Sequence, residues 1–144
     1  MTIKINESLL GELIAHLEGT FPNEGCGFFF GKDEEERVVT SIRPVENSKQ
    51  GDQRRRFEIS ALDYIRAERF ALENGLVLLG IYHSHPNHPA QPSEHDLRQA
   101  VPYFSYLIAS IYDGKFKEIT SWQLEEEGKK FKEEIVLFEK NEFA

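Results

Sequence analysis

The residues best suited to chemistry stand together past the middle of the chain, in His83-Ser84-His85-Pro86 followed by Pro92-Ser93-Glu94-His95-Asp96. On extended backbone, positions i and i+2 project to the same side, so both imidazoles can reach one cation. Pro86 is expected to end regular pairing and turn the chain outward. Ser93 suits the N-cap of a short helix over 94–100, which puts Asp96 in the first turn, near the loop that the histidines leave from. Two neutral nitrogens and a carboxylate suit zinc, with a fourth position left for water as a catalytic site requires. Such an ion would lower the pKa of water from about 15.7 to near 7. Amide hydrolysis would then need a group that accepts a proton and returns it to the leaving amine.

Each part also has a plainer reading. Histidines at strand ends are often surface residues, and Ser-x-x-Asp can be a capping box and nothing more. Their combination after an apolar strand is what argues for a metal. Cys26, the single cysteine, reads as a small buried residue at a strand start rather than a nucleophile. His83-x-His85-x-x-His88 also resembles the first metal motif of the metallo-β-lactamase family. However, Asn87 stands where that family has Asp, and 144 residues are too few for its two-layered domain. His88 and His95 read as rim residues, and His16 as lying on the polar side of a first helix. Arg54, Arg55 and Arg56 form a basic cluster that suits a carboxylate or acidic partner; protection of a strand edge explains it equally well.

The elements that must hold these residues follow from periodicity. Leu10, Leu13, Ile14 and Leu17 are spaced for one apolar face of a helix, which Pro22 ends. Cys26 to Gly31 and Arg37 to Ile42, rich in aromatic or β-branched residues, predict a β-hairpin around charged 32–36. Residues 43–56 carry Pro44, Asn47 and Gly51 and predict a polar loop of the kind that often touches substrate. Ser60 and Asp63 open a second helix that runs to Asn74-Gly75. Leu76 to Tyr82 is almost unbroken in its apolarity, as a central strand covered on both faces would be, with the histidines beginning where it ends. Tyr106 to Tyr112, Glu118 to Leu124 and Phe131 to Phe138 predict three further strands, with turns at Asp113-Gly114 and around Gly128. This pattern supports a mixed α and β domain.

Composition sets the outer bounds. A length of 144 residues suits one domain over 1–144, able to fold without disulfides. The formal charge of −8 would repel phosphate backbones and makes nucleic acid an unsuitable partner. No apolar run approaches the ~20 residues of a membrane span, and no charged-then-apolar leader opens the sequence. A cytoplasmic location is the resulting expectation.

The spacing His-x-His, seven residues, Ser, two residues, Asp resembles the JAMM motif of the JAB/MPN metalloproteases. Pro22-Asn23-Glu24-Gly25-Cys26-Gly27 before a strand, Phe57 to Ile59 before the second helix and Ser121-Trp122 in a late strand resemble the short prokaryotic branch. The resemblance implies a mixed, strongly twisted β-sheet flanked by helices on both sides, of the cytidine-deaminase-like kind. It implies one zinc held by His83, His85 and Asp96, with Glu24 as general base and then acid. Ser93 would hydrogen-bond the oxyanion or the metal's water. A carboxylate at the edge of one strand can face a metal at the end of its neighbour. The implied substrate is the C-terminal tail of a ubiquitin-like sulfur-carrier protein, which could dock by adding a strand beside the active-site sheet. Two other classes stay open: a non-catalytic MPN-type binding module, and a zinc hydrolase or deaminase acting on a small molecule.

Overall fold

The computed structural model describes residues 1–125, 127–128 and 130–140. Seven strands and three helices follow in the order β1 (Thr2–Asn6), α1 (Glu7–Thr20), β2 (Cys26–Asp33), β3 (Arg37–Val45), α2 (Ala61–Glu73), β4 (Val77–Pro86), α3 (Glu94–Gln99), β5 (Ser105–Tyr112), β6 (Lys115–Leu124) and β7 (Phe131–Glu139). The expected hairpin is β2–β3, the expected central strand is β4, and the three late strands are β5 to β7. Among the described residues, no helix is long and apolar enough to cross a membrane.

The sheet closes on itself in the order β1-β3-β2-β4-β5-β6-β7. Closure depends on β1, a strand the sequence reading passed over. Thr-Ile-Lys-Ile alternates in two-residue steps, burying Ile3 and Ile5, and β1 pairs in parallel with both β3 and β7. β4 is paired to β2 as far as Cys26↔His83 and to β5 as far as Pro86↔Ile111, while the pairing of β3 to β1 covers only Arg37–Val39.

Helices cover both faces of the sheet, as the resemblance implied. Asn6 caps α1 by accepting from the Leu9 N–H at 2.8 Å, and Leu13 and Leu17 pack on Ile5, Phe29, Tyr82 and Leu107. On the opposite face, Ala67 and Ala71 of α2 meet Phe28, Phe30, Ile81 and Tyr106. Small residues on α2 let the helix approach the phenylalanines closely. His16 departs from its expected polar position: it is half-buried, and its Nδ1 lies 2.7 Å from the Tyr82 hydroxyl. The Tyr82 ring in turn occupies the space where a Cβ on Gly27 would stand, 2.4 Å away, so β2 needs glycine there.

The chain segment that joins α3 to β5 is anchored by a buried cation. Arg37 opens β3 at 2% exposure and donates to the Ser105 hydroxyl at 2.9 Å and to the Leu79 carbonyl at 3.3 Å. Its guanidinium also pairs with Asp33 and lies 4.3 Å from the Tyr103 ring centroid, while the Tyr103 hydroxyl donates to Asp33. Tyr103 holds φ at 81°, a conformation a bulky residue keeps only where its surroundings fix it.

Candidate metal centre and active site

β4 runs further than its apolar segment. Pairing with β5 continues through His83↔Ile108 and His85↔Ser110 to Pro86↔Ile111, so both histidines lie within the strand rather than in a loop after it. Their position inside a two-sided ladder buries them, at 1% and 7% exposure, and fixes both side chains on the α2 face. Ser84, between them, points to the other side. Its hydroxyl accepts from the Gly25 N–H at 2.9 Å, and its own N–H donates to the Gly25 carbonyl at 3.1 Å. The middle residue of His-x-His thus fastens the end of β2, and with it Glu24, against β4.

Asp96 arrives from α3. Six residues are too few for a helix to hold itself, and this one is secured by a full capping box. The Ser93 hydroxyl accepts from the Asp96 N–H at 3.0 Å, and Asp96 Oδ2 accepts from the Ser93 N–H at 2.9 Å. The same carboxylate faces both rings. His83 Nε2 is 3.4 Å from Oδ1, His85 Nε2 is 3.1 Å from Oδ2, and the two Nε2 atoms are 3.2 Å apart. Ligands on a tetrahedral zinc at about 2.0–2.1 Å sit roughly 3.3–3.4 Å from one another, so these separations suit one small ion. These three residues form a metal-compatible group of donors among the described residues, and His88 is outside it. His85 Nδ1 lies 3.0 Å from the Pro89 carbonyl, a contact that makes Nδ1 a donor and turns Nε2 toward His83 and Asp96. Phe57 stacks on His83 with centroids 4.6 Å apart.

Charge follows the packing. Burial keeps His83 neutral, below its usual range, against the pull of Asp96. His85 is buried too, but its hydrogen bond to Asp96 and the Asp96 charge outweigh that burial and raise it. Asp96 stays ionised despite its burial, held well below the ordinary carboxylate range by the two histidines and the Ser93 N–H. Glu24 behaves oppositely. At 6% exposure, its carboxyl is pushed up to about 8 by burial, with His85 opposing the rise and Asp96 adding to it. Cys26 is fully buried and its thiol is pushed up to about 12, in keeping with an inert core residue.

Two cavities flank the cluster. A polar cleft of about 490 Å³ brings together Glu24, Arg55, His85, His88 and Ser93. Glu24, the residue placed only by resemblance, therefore shares its space with a candidate ligand. A smaller cavity of about 250 Å³ is lined by Phe57, Ile59, Tyr64, Ile81 and Tyr106, with His83, His95 and Asp96 also on its wall. His88 keeps its rim position, whereas His95 lines this apolar cavity and its Nε2 is buried without a partner. Arg55 reaches the cleft from the loop between β3 and α2. The sequence reading missed Phe57 as a cover for His83 and Ser84 as a fastener, and neither has a distinguishing local pattern.

Over residues 6–125 the chain matches the family described as prokaryotic homologs of the JAB domain. It is 36% identical over 108 residues to the probable TtuB-protein conjugate cleaving protease of Thermus thermophilus, covering 72% of this chain and 68% of that one. It is 26% identical over 121 residues to the CysO-cysteine peptidase of Mycobacterium tuberculosis, covering 83% of this chain and 81% of that one. The solution structure of a protein from Desulfitobacterium hafniense superposes with a TM-score of 0.83 at 32% identity, over 96% of this chain and 94% of that one.

Proposed function

The chain belongs to the prokaryotic JAB-domain family, and from that premise we propose that it is a zinc-dependent peptidase, acting as a single domain over residues 1–144, that hydrolyses an amide at the C-terminal tail of a ubiquitin-like sulfur-carrier protein. The observation that carries this reading is the convergence of His83, His85 and Asp96 beside a cleft that Glu24 and Ser93 also line. The named activities of the relatives, cleavage of TtuB conjugates and of CysO-cysteine, support the choice of substrate.

His83, His85 and Asp96 would hold the ion. The chemistry it supplies when bound is a polarised carbonyl and a water made nucleophilic near neutral pH. Glu24 accepts the proton of the attacking water at its carboxylate and returns it to the departing amine. In the metal-free chain burial raises this carboxyl, and a bound cation would favour its carboxylate, the form that accepts the proton. Ser93 has a hydroxyl hydrogen left over, since its oxygen serves the Asp96 N–H as acceptor. That hydrogen can be donated to an oxyanion in the cleft. The tail can be held in the cleft, which Arg55, Gln91 and Ser93 also line.

Glu24→Gln tests this. The variant should lose hydrolysis of a carrier-tail fusion by a factor of at least about 10³ while keeping its zinc. Near wild-type turnover would show that Glu24 is not the base.

A further inference from the structure

The segment between β3 and α2 contains neither helix nor strand, yet it is tied down closely at one point. Asn47, half-buried near its start, uses every hydrogen-bonding position of its carboxamide. Nδ2 donates to the Glu24 carbonyl and to the Arg56 carbonyl, each at 3.0 Å. Oδ1 accepts from the N–H groups of Lys49 at 3.0 Å and Glu58 at 3.1 Å. Carbonyls can only accept and N–H groups can only donate, so a single orientation of the amide satisfies all four. The Glu24 N–H is also committed to this segment, donating to the Gln53 carbonyl at 2.7 Å. Gln53 Nε2 in turn donates to the Asn47 and Lys49 carbonyls, each at 3.0 Å.

Glu24 lies beyond the last rung of the β2–β3 ladder, which stops at Cys26↔Val45. Both backbone polar groups of Glu24 therefore end on the 47–53 stretch rather than on a strand. The same carboxamide fixes the Arg56 carbonyl and the Glu58 N–H on either side of Phe57, the ring that stacks on His83. Resting on the reading of Glu24 as general base, we propose that Asn47 is the positioning residue that holds Glu24 in register with the cluster and couples it to the 47–58 loop. A substrate that shifts this loop shifts the base with it. Asn47 touches neither the cleft nor the reacting atoms; it acts through the Glu24 backbone.

The test compares the full-length, zinc-loaded wild type with Asn47→Ala, Asn47→Asp and Ser48→Ala. Aspartate at 47 keeps both acceptor roles but replaces the two donors with an oxygen that repels the Glu24 and Arg56 carbonyls. Ser48→Ala removes another loop contact, the Ser48 hydroxyl to the Glu58 carbonyl at 3.0 Å, and leaves Glu24 untouched. Amide exchange at Glu24 is read by NMR, with Ile108 reporting the fold, alongside kcat and KM on a carrier-tail fusion. In both Asn47 variants, exchange at Glu24 should quicken at least about tenfold. With it kcat should fall about ten- to a hundredfold, while KM stays within about threefold. Ser48→Ala should do neither. If Asn47→Ala loses Ile108 protection, Asn47→Asp decides. Unchanged Glu24 protection in the folded Asn47 variants would overturn the proposal. So would quickened exchange with kcat intact, or an equal effect from Ser48→Ala. If the wild type cleaves no tail, the exchange rates alone support or overturn the positioning role, and only the peptidase reading falls.

Discussion

Removing the charge of Glu24 should stabilise the metal-free protein in alkaline solution, and the size of the effect follows from its burial. The carboxyl is lifted by burial from 4.5 to about 8, with His85 and Arg56 opposing the rise and Asp96 and Asp52 adding to it. Between those values the folded chain keeps a proton that the unfolded chain has released, so stability is lost as pH rises through that window. At ~1.4 kcal/mol per pH unit, the separation sets a ceiling of ~5 kcal/mol. The cleft opens to water, which screens the buried charge and brings the expectation down to ~2–3 kcal/mol. Glutamine keeps the shape without the charge, and the titrations of His83 and His85, present in both proteins, largely cancel in the difference. Urea unfolding in the presence of a chelator is the assay. At pH 5, Glu24→Gln and wild type should be about equally stable; at pH 9, the variant should be ahead by that ~2–3 kcal/mol. Added zinc should close the gap, because a nearby cation favours the carboxylate. A gap that does not change with pH would refute the reasoning, since it would mean that Glu24 has no buried charge to relieve.

Asp96→Asn should keep α3 capped, because an amide oxygen can still accept from the Ser93 N–H, yet lower zinc affinity by more than about tenfold by competition with a chromogenic chelator. Unaltered affinity would remove Asp96 from the ligand set. Protein purified without added metal should carry about one zinc per chain by elemental analysis, and the His83→Ala, His85→Ala double variant should carry almost none. Gly27→Ala should lower stability by ~2–4 kcal/mol in denaturant unfolding, since the new Cβ would fall 2.4 Å from the Tyr82 ring.

The candidate site was largely legible because its parts lie in one short stretch, with β4 and α3 adjacent in the chain and each announced by its own pattern. His83 and His85 needed only the two-residue period of a strand, and Ser93 and Asp96 only the geometry of a helix cap. What crosses between distant segments was not legible. The adjacency of Glu24 to His85 depends on the register Cys26↔His83, which no local pattern encodes. Asn47 looked like any polar loop residue, because its four partners are backbone groups. Arg37 looked like the ordinary first residue of a strand and is instead a buried cation. β1 was passed over for a different reason: Thr2–Asn6 does alternate, but at five residues it is short enough to be overlooked.

Closure of the sheet also orders the chain's folding in time. Ile3 is the partner of Val136, so β1 leaves the ribosome well before β7 and waits for it before its second edge is covered. Contacts between such distant positions are slow to form, since the intervening chain must be organised first. During synthesis, β1 carries an unpaired strand edge beside a growing apolar surface, which is the condition under which chains associate wrongly. The ligand strand has no such wait: β4 can complete both of its ladders as soon as β5 is made, so the metal-binding half of the molecule can take shape before the sheet closes.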